Sequence, residues 1–199
     1  MDKKTKVYTF QKELMWIKNK DIRIFAVNML GRLPDYFFVV PASSTGKYHP
    51  EYSLGEGGLV RHTKSAVLIA KTLLDLEQYQ SEYNEEQRDI MLTALLLHDG
   101  VKHGLNGNKY TVSTHPTDMV DYINDYIIEQ DFSPWDDRIN FAKMVGDCIA
   151  THMGEFNKDY KTKEEILPKP ESNMQKFVHM CDYLASRKFL EVNFEKVEY

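Results

Sequence analysis

The chain has 199 residues and a mass of 23.3 kDa, with 42% hydrophobic residues, 28% charged residues and a formal charge of −5. This is about one domain's length, with enough chain to enclose a real core. The composition excludes a wholly disordered chain, a collagen-like repeat and a disulfide miniprotein. Two cysteines, Cys148 and Cys181, make no disulfide framework and fit a reducing, cytoplasmic setting. The Lys-rich start (Met1, Asp2, Lys3, Lys4, Thr5, Lys6) has no apolar stretch behind it, so no signal peptide is expected. No run approaches the roughly 18 apolar residues of a membrane span. Residues 1–50 carry nine Lys/Arg against four Asp/Glu, and the remainder sixteen against twenty-six. A broad basic face for a long nucleic-acid track is therefore absent.

In chain order, the patterning predicts short helices over Phe10–Lys20 and Ile22–Leu33, ending at Pro34. Phe37 to Val40 reads as a short extended run. Pro41 to Gly58, rich in Ser, Gly, Pro, Tyr and His, is a loop by its turn chemistry and long enough to carry function. Helices are predicted over Leu59–Tyr79 and Asn84–Val101, followed by a Gly/Asn-rich loop. Thr114-His115-Pro116 is a helix start, because Pro favours the first helical positions; that helix runs to Glu129. Two more are expected over Pro134–Thr151 and Glu171–Glu191. The expected architecture is all-α: residues 1–40 as a helical extension packed on a single domain of residues 41–199.

The informative residues are ionisable ones on apolar stripes. Positions three, four and seven apart share a helix face. His62 lies with Ala66, Ile69, Ala70 and Leu73. His98 lies with Met91, Ala94 and Leu95. His115 lies with Met119, Tyr122 and Ile123, and His152 with Val145, Cys148 and Ile149. Asp182 lies with Val178, Ala185 and Phe189, and Asp99 adjoins His98. Burying these groups separately would cost several kcal/mol each, by the usual ~2–7 kcal/mol for an unpaired polar group. Gathered around divalent cations they satisfy one another, and imidazole with carboxylate suits Mn, Fe, Ni, Co, Zn or Mg. The bland reading of each residue taken alone is a core histidine bonded to a carbonyl.

At His98-Asp99 the order His62, His98-Asp99, Asp182 resembles the HD-domain metal-dependent phosphohydrolases, over about residues 41–188. Gly57-Gly58-Leu59-Val60-Arg61-His62 is similar to the GGLxxH opening of the first metal helix. His98-Asp99-Gly100-Val101-Lys102 is similar to the HDxxK form. Ser113-Thr114-His115-Pro116 and Ala150-Thr151-His152-Met153-Gly154-Glu155 resemble the extra histidine motifs of dinuclear members, and His179-Met180-Cys181-Asp182 the final Asp motif. Pro41-Ala42-Ser43-Ser44 and Lys47-Tyr48-His49 are most like the HD domains of Gram-positive three-prime exoribonucleases. Those enzymes carry a separate oligonucleotide-binding domain, for which 199 residues leave no room. The cyclic-dinucleotide branch is not matched, since Met153-Gly154-Glu155-Phe156 stands where its GYP string would be.

The resemblance implies an HD-type helical bundle with two divalent metals: one held by His62, His98, Asp99 and Asp182, the second by Asp99, His115 and His152. It implies hydrolysis of a phosphoester of a nucleotide or short oligonucleotide by a metal-activated water. Asp99 would be central to the reaction, with Lys102 as a phosphate or nucleophile donor. His49, Ser43, Ser44, Lys47, Arg61 and Tyr110 are the further candidates for binding substrate, Tyr110 by base stacking. His179 is a candidate support for a ligand. Arg187, five residues from Asp182, points away from the site if the helix continues. The expected partner is a small phosphoester, with short single-stranded nucleic acid as the larger option and no membrane. The competing reading of the same residues is a non-catalytic module that binds metal and nucleotide.

Overall fold

The computed structural model describes residues 1–43, 46–133, 136–159 and 161–190, so Ser44 and Trp135 lie outside the described residues. Among these residues the fold is all-α. The helices are α1 (Lys3–Thr9), α2 (Gln11–Trp16), α3 (Lys20–Arg32), α4 (Gly58–Leu74), α5 (Glu77–Glu82), α6 (Glu85–Leu97), α7 (His115–Glu129), α8 (Asp137–Ala150) and α9 (Asn173–Ala185). Lys158 and Glu165 form an isolated antiparallel bridge. No described helix is long and apolar enough to cross a membrane.

Local chemistry sets the boundaries. Asn84 and Ser172 start α6 and α9 with reciprocal capping boxes, each bonding the third helical amide while Gln87 or Gln175 reaches back. Asp2, Asn19 and Asp136 cap α1, α3 and α8 with their carboxylate or amide oxygens. Three expectations are corrected. Phe37 and Phe38 belong to a 3-10 turn, Asp35–Phe38, rather than an extended run. That turn follows from Pro34, after which the chain folds both rings onto Phe10. The expected helix to Tyr79 breaks at Asp75, and α5 begins two residues later. The last helix stops at Ala185, so Phe189 is 78% exposed rather than on the core stripe.

α4, α6, α8 and α9 pack around one another, with α3 against α6 and α8, and α7 against α8. One continuous core runs through them, and it includes Phe10, Leu14, Ile22, Phe25, Met29 and Leu33 from the first forty residues. The N-terminal helices are therefore part of the core wall. Cys148 and Cys181 are buried free thiols, and burial pushes both pKa values up.

The loop between Phe38 and α4 is knitted to its surroundings by backbone bonds: Ala42 N to Ser53 O (3.0 Å), Gly57 N to Val39 O and Leu59 N to Val40 O (both 2.9 Å). Arg61 reaches back from α4 and donates to the carbonyls of Tyr52, Leu54 and Glu56. The Tyr52 hydroxyl donates to the Ala185 carbonyl at 3.1 Å and so ties this loop to the end of α9. The segment that carries His49 is thereby fixed beside α4.

Candidate metal centre

The bundle brings five helix-borne segments together at one place. His62 sits in the second turn of α4, and Asp182 in the last turn of α9. His98 and His152 each lie just past the end of a helix, α6 and α8, and His115 opens α7. Asp99 follows His98 into a tight turn, closed by Gly100 N to Leu97 O at 2.8 Å and Lys102 N to Asp99 O at 3.0 Å. All four of these histidines and Asp99 are at most 2% exposed.

Three of the imidazoles are held the same way. His98 Nδ1 donates to Leu95 O (2.8 Å), His115 Nδ1 to Val112 O and His152 Nδ1 to Ile149 O (both 2.7 Å). Each bond is to the carbonyl three residues earlier, which puts a proton on Nδ1 and turns Nε2 toward the cluster. Those Nε2 atoms then converge. His115 and His152 Nε2 face each other at 3.3 Å, and Asp99 Oδ1 lies 3.1 and 3.8 Å from them. On the other side, His62 and His98 Nε2 are 3.3 Å apart. Asp182 Oδ1 lies 2.9 and 3.3 Å from these two nitrogens, and Asp99 Oδ2 lies 3.7 and 3.5 Å from them. Asp99 thus presents one oxygen to each pair.

The residues fit divalent cations. Two bare imidazole nitrogens and a carboxylate oxygen, all acceptors, are buried face to face on the His115–His152 side. Asp99 Oδ1 is buried with no hydrogen bond. Such a cluster of lone pairs is repulsive unless a cation lies between them. The sets His62/His98/Asp99, His98/His152/Asp182 and Asp99/His115/His152 each place three donor atoms within 4.8 Å of one another. Nitrogen with carboxylate oxygen is a donor set for Mn, Fe, Zn, Ni or Co.

The electrostatics follow from the same contacts. Burial works against ionised Asp99 and Asp182, but positive charge on Lys102 and His98 holds the Asp99 carboxyl well below the usual range, and the charge on His98 with a hydrogen bond from His62 does the same for Asp182. Burial, reinforced by the charge on His98, pushes His152 down to about 3. Without a metal the cluster thus holds anionic carboxylates and a neutral His152, the states in which such groups bind metal. Against the cost of burial, Asp99 and Asp182 push His98 up to about 10, a proton that a cation would have to displace.

A cavity of about 290 Å³ opens onto this cluster. His62, Asp99, Lys102, His152 and Asp182 form one part of its lining; Tyr48, His49, Met153, Phe156, His179, Tyr183, Ser186 and Arg187 form the rest. Lys102 Nζ donates to Asp99 Oδ2 at 2.6 Å. His49 packs edge-on against His62, with ring centroids 5.6 Å apart, and burial pushes it down to about 3, so it is neutral. His179 Nδ1 donates to the His152 carbonyl at 2.7 Å and so props the backbone of a candidate ligand. Arg187 reaches the cavity because α9 ends at Ala185, two residues before it.

Other sequence candidates sit elsewhere. Arg61 spends its guanidinium on loop carbonyls. Tyr110 is 60% exposed, with Lys109 over its ring, and is not part of the cavity lining. Ser43 accepts from Gly46 N, and Lys47 Nζ lies over the Tyr48 ring; neither lines the cavity. The sequence reading missed Tyr48, Met153, Phe156 and Tyr183 as lining residues. The available signal was their position, Met153 and Phe156 just after His152 and Tyr183 just after Asp182. A scan against family models finds no match, and searches of curated proteins and of solved structures find none either.

Proposed function

We propose that this protein is a metal-dependent phosphohydrolase of the HD type, acting on a nucleotide or another small phosphoester. The observation that carries the reading is Asp99, a buried carboxylate with one oxygen turned to the His62–His98 pair and the other to the His115–His152 pair. The order of the motifs and the cavity that reaches this cluster support it as well.

His62, His98, Asp182 and Asp99 would hold one cation, and Asp99, His115 and His152 a second. Bound there, such ions would stabilise charge on phosphoryl oxygens and make water acidic enough to ionise near neutral pH. The chain's own residues do the rest. Leu95, Val112 and Ile149 carbonyls hold three imidazoles in the ligand tautomer. Lys102 carries a positive charge into the cavity beside Asp99, where it can donate to a phosphoryl oxygen. Arg187, at the cavity lining, offers a second cation for a phosphate.

The test is release of phosphate and nucleoside from nucleoside mono-, di- and triphosphates, cyclic nucleotides and a short oligoribonucleotide, each with Mn²⁺ and with EDTA. The expected result is metal-dependent turnover of one class, absent from the Asp99→Ala protein. Full metal-dependent turnover by Asp99→Ala, or none by the wild type with any member, would contradict the reading.

A further inference from the structure

Phe156 is a large aromatic residue left half in the open: its side chain is 51% exposed and lines the cavity above the metal ligands. Its backbone is not loose. Phe156 N bonds Met153 O at 2.9 Å, closing the short 3-10 turn Gly154–Phe156. The next residue, Asn157, is buried, donates its amide to Leu167 O at 2.9 Å and accepts from Ile166 N at the same distance. An apolar ring on a fixed backbone at a cavity wall is preorganised for contact.

The ring also has a defined orientation. It lies within 11° of parallel to Tyr183, with centroids 6.3 Å apart. Tyr183 in turn carries the Arg187 guanidinium carbon 4.2 Å from its ring centre. Phe156, Tyr183 and Arg187 thus place two near-parallel rings and one cation side by side along the same cavity wall. The same cavity contains Asp99, Lys102 and Asp182. With cations held at Asp99 and Asp182 as proposed, and Lys102 beside them, the complementary ligand has a planar apolar end and an anionic end. At about 290 Å³ the cavity lies just below the roughly 300–1,000 Å³ typical of small-molecule sites, which suits one small ligand unit.

We infer that the Phe156–Tyr183–Arg187 face is the stacking platform for the base of a single nucleotide whose phosphoester lies at the Asp99 cluster. This rests on the phosphohydrolase reading, narrows its substrate from any small phosphoester to a nucleotide, and names the residue that selects it. It replaces Tyr110, which lies outside the cavity lining, as the base-stacking residue.

The test is equilibrium binding, by calorimetry, of AMP and of ribose 5-phosphate, each as its non-hydrolysable phosphonate analogue so that turnover does not consume it, to the Mn²⁺-loaded protein. These ligands share the sugar phosphate and differ in the base. AMP is expected to bind at least about tenfold more tightly than ribose 5-phosphate, as base–aromatic stacking allows. Phe156→Ala should weaken AMP by about 5- to 150-fold and collapse the discrimination between the two, with metal content by mass spectrometry unchanged. Phe156→Trp should restore it. Equal affinity for the two ligands, binding of neither, or an unchanged AMP affinity in Phe156→Ala would overturn the platform. If metal-dependent turnover persists alongside any of these, the phosphohydrolase reading stands without it. If the wild type takes up no metal, that reading fails, and the platform with it.

Discussion

Gly58 opens α4, four residues before His62, and is pressed against backbone rather than side chains. A Cβ there would lie 2.1 Å from the Ser53 carbonyl oxygen, 2.7 Å from its carbon and 3.1 Å from Pro41 Cα. These atoms cannot swing aside: Ser53 O already accepts from Ala42 N at 3.0 Å, and Ser53 N is bonded to Pro50 O. Gly58→Ala must push α4 away from the loop. Overpacking a tight site costs ~1–3 kcal/mol, and a backbone wall puts this case at the upper end, about 3 kcal/mol. For a chain of this size each kcal/mol moves Tm by about 2–4 °C, so a fall of about 6–12 °C is expected in a thermal melt followed by circular dichroism. Because the shift displaces the turn that leads into His62, the rise in Tm on adding Mn²⁺ should shrink too. A Tm within about 2 °C of the wild type would refute the reasoning.

The other predictions follow from single contacts. Gly146 lies inside α8 with only Val120 nearby, at 3.6 Å from a Cβ, so Gly146→Ala should stabilise by about 0.5–1 kcal/mol in urea unfolding; a loss would show that the spacing of α7 and α8 is misjudged. Gly154 has φ +56° and a Cβ there would sit 2.2 Å from the His179 ring, so Gly154→Ala should cost about 2–4 kcal/mol and weaken Mn²⁺ binding through the His179–His152 contact; unfolding within 0.5 kcal/mol of wild type, roughly the neutral range, would contradict this. His49 is held neutral, its pKa lowered to about 3 from the usual 6.5 by burial and by the charge of His62. As pH falls below 6.5 the unfolded chain gains this proton and the folded one does not, so stability is full above 6.5 and declines toward pH 3, by up to about 1.4 kcal/mol per pH unit from this group. His49→Gln, metal-free, should therefore show a flatter decline between pH 7 and 5 in urea titrations; parallel curves would count against the assignment.

Much of the site was readable because helix periodicity reports faces directly. His62, His98, His115, His152 and Asp182 each stand on an apolar stripe, and all five are gathered at one place. The ends of helices were less legible. His98-Asp99 lies on a turn after α6 rather than inside a longer helix, and it is this turn that lets adjacent residues face one cluster. Likewise α9 stops at Ala185, which brings Arg187 to the cavity although five residues along a continuing helix would turn it away. Arg61 shows the opposite case: a cation beside the candidate ligand His62, whose own partners are the loop carbonyls of Tyr52, Leu54 and Glu56. α1 was missed because seven residues that include three lysines and two threonines carry little apolar signal; Lys6 instead buries its stem and donates to Leu33 O and Asp35. Phe156 had no periodic pattern to mark it, since it sits on a turn whose orientation depends on bonds to Leu167 and His179 from later parts of the chain.

The central claim is that six side chains form a centre for two divalent cations bridged by Asp99. The direct measurement is metal content. Protein stripped with EDTA is dialysed against Mn²⁺, separated from free ion, and analysed by mass spectrometry beside Asp99→Ala treated identically. Two ions per wild-type chain and at most one, weakly held, in the variant are predicted. Equal content in the two proteins, or none in the wild type, would contradict the account.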